Sequence, residues 1–259
     1  MCDKVAVDLH LHTTASDGSL APEKVVKKAY KLGYEAISIT DHDTVDGLDE
    51  AISTGNKLGI EIIPGIEINT ELDNHEVHIL GYFINFKSGL LESKLNRLKN
   101  SRISRVKKIV EKLNELDIKI TTEEVFSISQ GGAVGRTHIA RALLNKGYVE
   151  SISEAFEKYI AIGKPAYVSR ERLSPAEAIK LIKNIDGIAV LAHPGLVGND
   201  QIVKEIIDMN IEGLEAYYYE HNQVETEKYL QLAKKNKLLI TGGSDDHGPG
   251  NKDGLRLGK

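Results

Sequence analysis

The 259-residue sequence predicts an α/β barrel built from parallel β/α units, and three observations carry the prediction. Short β-branched apolar runs alternate with amphipathic helical stretches, the pattern of a parallel sheet covered by helices. Seven such runs occur, a number suited to a barrel or a highly curved sheet. Histidines and carboxylates stand where several of the runs end, and in parallel barrels chemistry sits on that C-terminal rim.

The elements follow in order. "KVAVDLHLH" reads as the first strand. "APEKVVKKAYKLGY" reads as the first helix, with Pro22 in its first turn, apolar Val25, Val26, Ala29 and Leu32, and Gly33 as a stop. "EAISITDHD" is the second strand, and "VDGLDEAISTGNKLG" is a helix again closed by glycine. "IEIIPGIEINTE" and "EVHILGYF" supply two more strands, and "GIAVLAHP", "GLEAYYY" and "LLITGGSDDHG" the last three. Between about 88 and 172 the rhythm changes. "LLESKLNRLKNSRISRVKKIVEKLNELDI" is a long helical pattern, followed by "TTEEVFSI" with a capping-box spacing, "GRTHIARALLNKGY" and "SISEAFEKYIAIG". Residues 1–87 and 173–259 are therefore expected to form the barrel. Residues 88–172 are expected to be a helical insertion lying over its mouth.

Composition narrows the function. Hydrophobic residues make up 41% and charged residues 27%, ordinary for a globular protein. No apolar run approaches the ~18 residues of a membrane span. The start "MCDKVAVDLHLH" lacks a basic segment followed by an apolar one, so secretion is not expected. A single cysteine, Cys2, has no internal disulfide partner and no basic neighbour to activate it, which fits a reducing cytoplasm. The net charge of -5 argues against broad nucleic-acid coating but leaves room for a local basic pocket for a phosphorylated substrate.

Most of the nine histidines fall at strand ends. His10 and His12 end the first strand, on one side of it because strand side chains alternate. His42 ends the second strand and Glu67 the third; His78 lies in the fourth; His193 ends the fifth, and Asp245 and His247 end the seventh. Buried imidazoles and carboxylates need partners, and a cluster this rich in nitrogen and oxygen donors is best satisfied by divalent cations. The absence of cysteine from the set favours Zn, Mn, Fe or Mg over a thiolate site.

The motifs "DLHLHTTASDG", "ITDHDT", "PGIEI", "VHILGY", "LAHPG" and "GSDDHG" resemble, in order, those of the polymerase and histidinol phosphatase (PHP) family. "GRTHIARAL" and "KPAYV" resemble the branch acting on nucleotides and short RNA. The resemblance implies a distorted (β/α)7 barrel with two to three divalent metals, Mn, Zn or Fe, at its mouth. It implies a first metal on His10, His12, Glu67 and Asp245. A second would be bridged by Glu67 and completed by His78 and His193, and a third held by Asp17, His42 and His247. Some relatives carry histidine where Asp17 stands.

Such a cluster lowers the pKa of bound water and neutralises charge on a phosphoryl group. Asp43, beside His42, reads as a carboxylate that orients an imidazole, or as a solvated cap. Asp246 points away from its two neighbours and reads as structural. Arg136 and His138 follow a glycine run at a helix start, where a guanidinium grips phosphate beside helix amides; capping is the alternative. Lys164 and Arg170 are further rim candidates. His221 is placed either against phosphate or in loop packing. One ring of Tyr217 to Tyr219 is expected either to stack on a base or, more commonly, to pack in the core. His75 reads as solvated. Lys87 to Lys108 holds eight basic residues against Glu92, read first as a solvated face and second as an RNA contact.

The expected activity is hydrolysis of the 3′-phosphoester of a 5′-phosphorylated nucleotide, as a nucleoside 3′,5′-bisphosphate phosphatase, a 5′-to-3′ exonuclease on short RNA, or both. The alternatives are a phosphatase for a small monoester such as histidinol phosphate, and a non-catalytic metal-binding module. A phosphorylated nucleotide or short RNA is the expected partner, with no membrane and no obligate protein partner.

Overall fold

The computed structural model describes residues 6–129, 134–169 and 172–249. Seven strands form one sheet in chain order: β1 (Val7–Leu11), β2 (Ala36–Ile39), β3 (Glu61–Leu72), β4 (His75–Tyr82), β5 (Ile188–Leu191), β6 (Gly213–Tyr218) and β7 (Leu239–Gly243). The sheet curls until its ends meet as a nearly closed barrel. Past the end of β7, the Asp245 N–H donates to the His10 carbonyl at 2.8 Å and the His12 N–H to the Asp246 carbonyl at 3.1 Å. A Cβ on Gly243 would lie 2.3 Å from His10 Cβ and 2.6 Å from its amide nitrogen, so only glycine lets the two edge strands approach this closely.

The strands are not all parallel, which corrects the all-parallel reading. β4 runs antiparallel to both β3 and β5. Two residues, Asp73 and Asn74, join β3 to β4, and both adopt positive φ, 48° and 64°. That is the primed turn whose twist matches a hairpin, and Asp and Asn tolerate it well. The reversal places His78 near the start of its strand, at the same end of the barrel as the C-termini of β1, β2 and β3.

Helices α1 (Pro22–Lys31) and α2 (Leu48–Leu58) follow β1 and β2. α1 starts on Pro22 and buries Val25, Val26 and Ala29; α2 stops where Gly59 turns left-handed at φ 77°. The long segment after β4 is helical: α3 (Gly89–Glu115), α4 (Thr122–Ser129), α5 (Arg136–Asn145) and α6 (Ile152–Ala155), the last running into a π-helical turn at Phe156–Ile160. The expected box at α4 is present, the Thr121 hydroxyl accepting the Glu124 N–H at 3.2 Å and Glu124 accepting the Thr121 N–H at 2.8 Å. α7 (Pro175–Lys183), α8 (Asp200–Asp208) and α9 (Gln223–Asn236) follow. Among the described residues no helix is long and apolar enough to cross a membrane.

The chain divides into two compact units, 1–93 with 172–259, and 94–171. Inside the barrel, Leu80, Tyr82, Val190 and Ala192 pack together with Leu9, Ile63 and Ile188 against them. The helical unit has its own core, in which Ile109, Leu113, Ile139, Leu143 and Ile160 are fully buried. Each unit thus satisfies its own apolar faces.

Candidate metal centre

β1 sends Asp8, His10 and His12 to one side, and all three are buried. They meet Glu67, fully buried in β3, and Asp245, which follows β7 at φ 53°. His10 Nε2 and His12 Nε2 stand 3.3 and 3.2 Å from Glu67 Oε2, and 3.4 and 3.0 Å from Asp245 Oδ1. His42 Nδ1 reaches the same Glu67 oxygen at 2.9 Å. The other oxygen, Oε1, meets His78 Nδ1 at 2.8 Å and His193 Nε2 at 3.1 Å. One buried carboxylate therefore faces five imidazoles. A third grouping surrounds Asp17, with His247 Nε2 at 3.4 Å, His12 Nδ1 at 3.7 Å and His42 Nε2 at 3.9 Å.

Eight of the nine residues singled out as ligands fall into compact groups; His193, expected to complete the second, reaches Glu67 but joins none of them, and His42 stands in its place. Among the described residues three groups are compact enough to hold a cation: His10, His12, Glu67 and Asp245; His42, Glu67 and His78; His12, Asp17, His42 and His247. His42 thus belongs to two groups through its two nitrogens, whereas the resemblance assigned it only to the third. The donor atoms fit a metal on independent grounds. His10 Nε2, both nitrogens of His12, His42 Nδ1, Glu67 Oε2 and Asp245 Oδ1 are buried without an aligned hydrogen bond. Buried polar atoms are normally paired, and orphans that converge on common points are what divalent cations satisfy.

Charge follows the same logic. Burial opposes ionisation of Glu67, but His42, His10 and His78 outweigh it and hold the carboxyl well below its usual value. Burial also disfavours the charged form of His12, yet Asp245 and Glu67 raise it to about 10. His78 rises to about 10 against burial through Glu67 and Glu76. His10 goes well above its usual value through Glu215, Asp245 and Glu67, again against burial. Asp17 and Asp245, despite burial, are held far below theirs by the surrounding imidazoles. Cations and protons compete for these nitrogens.

The residues that hold the ligands were not visible in the sequence. Glu215, fully buried in β6, accepts from His10 Nδ1 at 3.0 Å and from the His193 N–H at 2.8 Å. That fixes the His10 tautomer with Nε2 toward Glu67. It also anchors His193, whose backbone sits at φ 24°, a strain of about 1–3 kcal/mol that its surroundings must support. Asp41 accepts from the Thr13 N–H and hydroxyl, both at 2.7 Å, and from the Ser16 hydroxyl at 2.6 Å, so it shapes the loop that carries Asp17. The Tyr218 hydroxyl donates to Asp245 Oδ2 at 3.2 Å, leaving Oδ1 toward the imidazoles. Of the tyrosine run, Tyr217 and Tyr219 face solvent and Tyr218 is the buried one, beside His193.

The remaining candidates divide. Asp43 accepts from the Asn69 N–H at 3.0 Å and its side-chain amide at 3.1 Å, bracing β3 beside Glu67. Asp246 turns away, to Lys28 Nζ at 2.8 Å and the Gly248 N–H at 2.9 Å. His221 donates from Nδ1 to the Ala216 carbonyl at 3.0 Å and accepts the Gly195 N–H at Nε2 at 3.1 Å. Both its nitrogens are occupied by backbone, so loop packing prevails over phosphate contact. In the helical unit, Arg136 donates to the Ile160 carbonyl at 3.3 Å and lies over the Phe156 ring. His138 accepts the Gly135 N–H at Nδ1, 3.1 Å, capping α5, and Lys164 is exposed in a turn. Arg105 donates to the Val168 carbonyl at 2.7 Å. Arg170 and Cys2 lie outside the described residues.

Comparison with known proteins agrees with this geometry. The PHP domain model matches residues 8–241. The chain is 35% identical over 252 residues to the 5′-3′ exoribonuclease Rnm of Escherichia coli strain K12, covering 95% of this chain and 86% of that protein. It is 31% identical over 250 residues to the 3′,5′-nucleoside bisphosphate phosphatase of Chromobacterium violaceum, covering 94% of this chain and 88% of the relative. A solved structure from Bifidobacterium adolescentis, assigned as a metal-dependent phosphoesterase, superposes with TM-score 0.80 at 32% identity, covering 96% of this chain and 90% of the other.

Proposed function

The chain belongs to the PHP domain family and is a metal-dependent phosphoric ester hydrolase; on that premise we propose that it hydrolyses the 3′-phosphoester of a 5′-phosphorylated nucleotide. The substrate is a nucleoside 3′,5′-bisphosphate, a short RNA read from its 5′ end, or both. Relatives named for each activity support the pairing. Both substrates present the same bond, a phosphoester on the 3′ side of a 5′-phosphorylated residue.

The observation that carries the reading is the set of orphaned buried donors around Glu67. The three groups would hold the two to three divalent cations, Mn, Zn or Fe, with Glu67 a member of two of them. Bound there, they supply Lewis acidity that activates water and offsets charge on the phosphoryl oxygens. The protein's own contribution is orientation. Glu215 presents His10 Nε2, Tyr218 presents Asp245 Oδ1, and Asp41 sets the loop of Asp17. Arg136, with His138 and Lys164, is the proposed phosphate-binding set of the helical unit. One of the five N–H donors of the Arg136 guanidinium goes to the Ile160 carbonyl. We place this action in the cytoplasm, in keeping with the single cysteine of the sequence.

Product analysis tests the substrate. Adenosine 3′,5′-bisphosphate with Mn²⁺ is expected to give AMP and inorganic phosphate, and a 5′-phosphorylated RNA trimer to give mononucleotides. Adenosine 3′-phosphate as the product, or equal turnover of 5′-hydroxyl RNA, would contradict the proposal.

A further inference from the structure

The outward nitrogen of His78 also has a partner. Nε2 stands 3.3 Å from Glu76 Oε1, two residues earlier on β4 and so on the same side of the strand. Glu76 faces Glu71 directly across the β3–β4 hairpin. Two carboxylates opposed in this way repel. Arg172 resolves the repulsion, placing Nη1 at 2.6 Å from Glu71 Oε2 and Nη2 at 3.4 Å from Glu76 Oε2.

The position of that arginine is set by the backbone. Arg172 is the first residue of the barrel unit after the inserted helical unit. Its neighbour Leu173 bridges to Thr70, and the Leu173 carbonyl accepts the Glu71 N–H at 3.4 Å. The Arg172 side chain is only 14% exposed, whereas that of Glu76 is 53% exposed. A largely covered guanidinium beside a half-exposed carboxylate keeps the carboxylate aimed rather than free to swing.

We propose that Glu76, held by Arg172, is a positioning residue for the metal centre: it accepts the Nε2–H of His78, so that Nδ1 is the atom offered to the cation beside Glu67. A histidine that donates one ring N–H to a carboxylate ligates through the other nitrogen, and such partners raise its basicity as a ligand. The geometry already has His78 Nδ1 at Glu67 Oε1, 2.8 Å, with Nε2 turned to Glu76. The inference rests on the reading that His78 holds a cation.

The test titrates Mn²⁺ into metal-free full-length protein and reads affinity and stoichiometry for wild type, Glu76→Ala, Glu76→Gln, Arg172→Lys and His78→Ala. Glu76→Ala is expected to weaken one class of site by roughly ten- to a hundred-fold, with the metal-free melting temperature little changed. Glu76→Gln, whose amide oxygen still accepts, should recover most of the loss, and Arg172→Lys should show a smaller loss at the same site. In a His78→Ala background, Glu76→Ala should add nothing. Unchanged Mn²⁺ binding in Glu76→Ala alongside weakened binding in His78→Ala would overturn the positioning role alone. Full additivity of the two substitutions would do the same. Unchanged binding in His78→Ala would remove the metal assignment of His78, and this inference with it. If Glu76→Ala does not fold, Arg172→Lys and Glu76→Gln decide the matter by the same readout.

Discussion

Glu215 Oε1 and His10 Nδ1 meet at 3.0 Å with both side chains fully excluded from solvent. A carboxylate only accepts, so this contact keeps a proton on Nδ1 and leaves Nε2 for a proton or a cation between Glu67 and Asp245. The second Glu215 oxygen takes the His193 N–H, so one residue on β6 orders both His10 on β1 and the turn after β5.

Glu215→Gln should therefore weaken metal binding. A glutamine offers one acceptor where the site uses two, so either His10 or the His193 amide loses its partner. A buried polar group left unpaired costs about 1–3 kcal/mol. The expected result is a drop of roughly ten- to a hundred-fold in Mn²⁺ affinity, read by calorimetric titration of the metal-free protein. Affinity equal to wild type would make Glu215 a packing residue only.

The metal-free protein should lose stability on the alkaline side. His12 and His78 are raised from 6.5 to about 10, so their contribution is complete below about 6.5 and is lost as pH rises through about 10. Asp17 and Asp245 are lowered, so theirs is present above the usual 3.8 and is lost as pH falls. Melting temperature without metal should fall between pH 7 and pH 10. Saturating Mn²⁺ should flatten that fall, because cations replace the protons. A metal-free melting temperature that stays level across this range would contradict the assigned charges.

His221→Gln should act on stability, not on substrate. The ring latches the Ala216 carbonyl to the Gly195 N–H, and a Cβ on Gly195 would meet its Nε2 at 2.8 Å, so the packing there is tight. The expected outcome is a melting temperature lowered by several degrees, an effect of about 1–2 kcal/mol, with KM for adenosine 3′,5′-bisphosphate within about twofold of wild type. A KM raised tenfold at unchanged stability would return His221 to the substrate.

The strands and the ligands were legible in the sequence for the same reason. Several apolar runs end on the residue that reaches the barrel mouth, so "VDLHL", "ITDHD" and "LAHPG" announce both at once, whereas Glu67, expected at a strand end, lies within β3 and His78 within β4. The direction of β4 is hard to read from sequence because its signal is two residues long: Asp73 and Asn74 in a turn. Glu215 and Asp41 were passed over because a lone carboxylate within a strand motif carries no local sign of what it faces. Their partners are 205 and 28 residues away in sequence. The shared membership of His42 depends on which of its nitrogens faces Glu67, a matter of side-chain rotation that spacing does not encode.

The most direct test of the account joins metal content to turnover. Metal-free wild-type protein and His10→Ala are titrated with Mn²⁺, and bound metal is measured alongside phosphate release from adenosine 3′,5′-bisphosphate. Wild type should gain activity in step with the cations it binds. His10→Ala should bind fewer cations and lose activity by several orders of magnitude, because His10 serves the group that contains Glu67 and Asp245. Full turnover by His10→Ala, or turnover by wild type stripped of metal, would contradict the claim that this cluster is the catalytic metal centre.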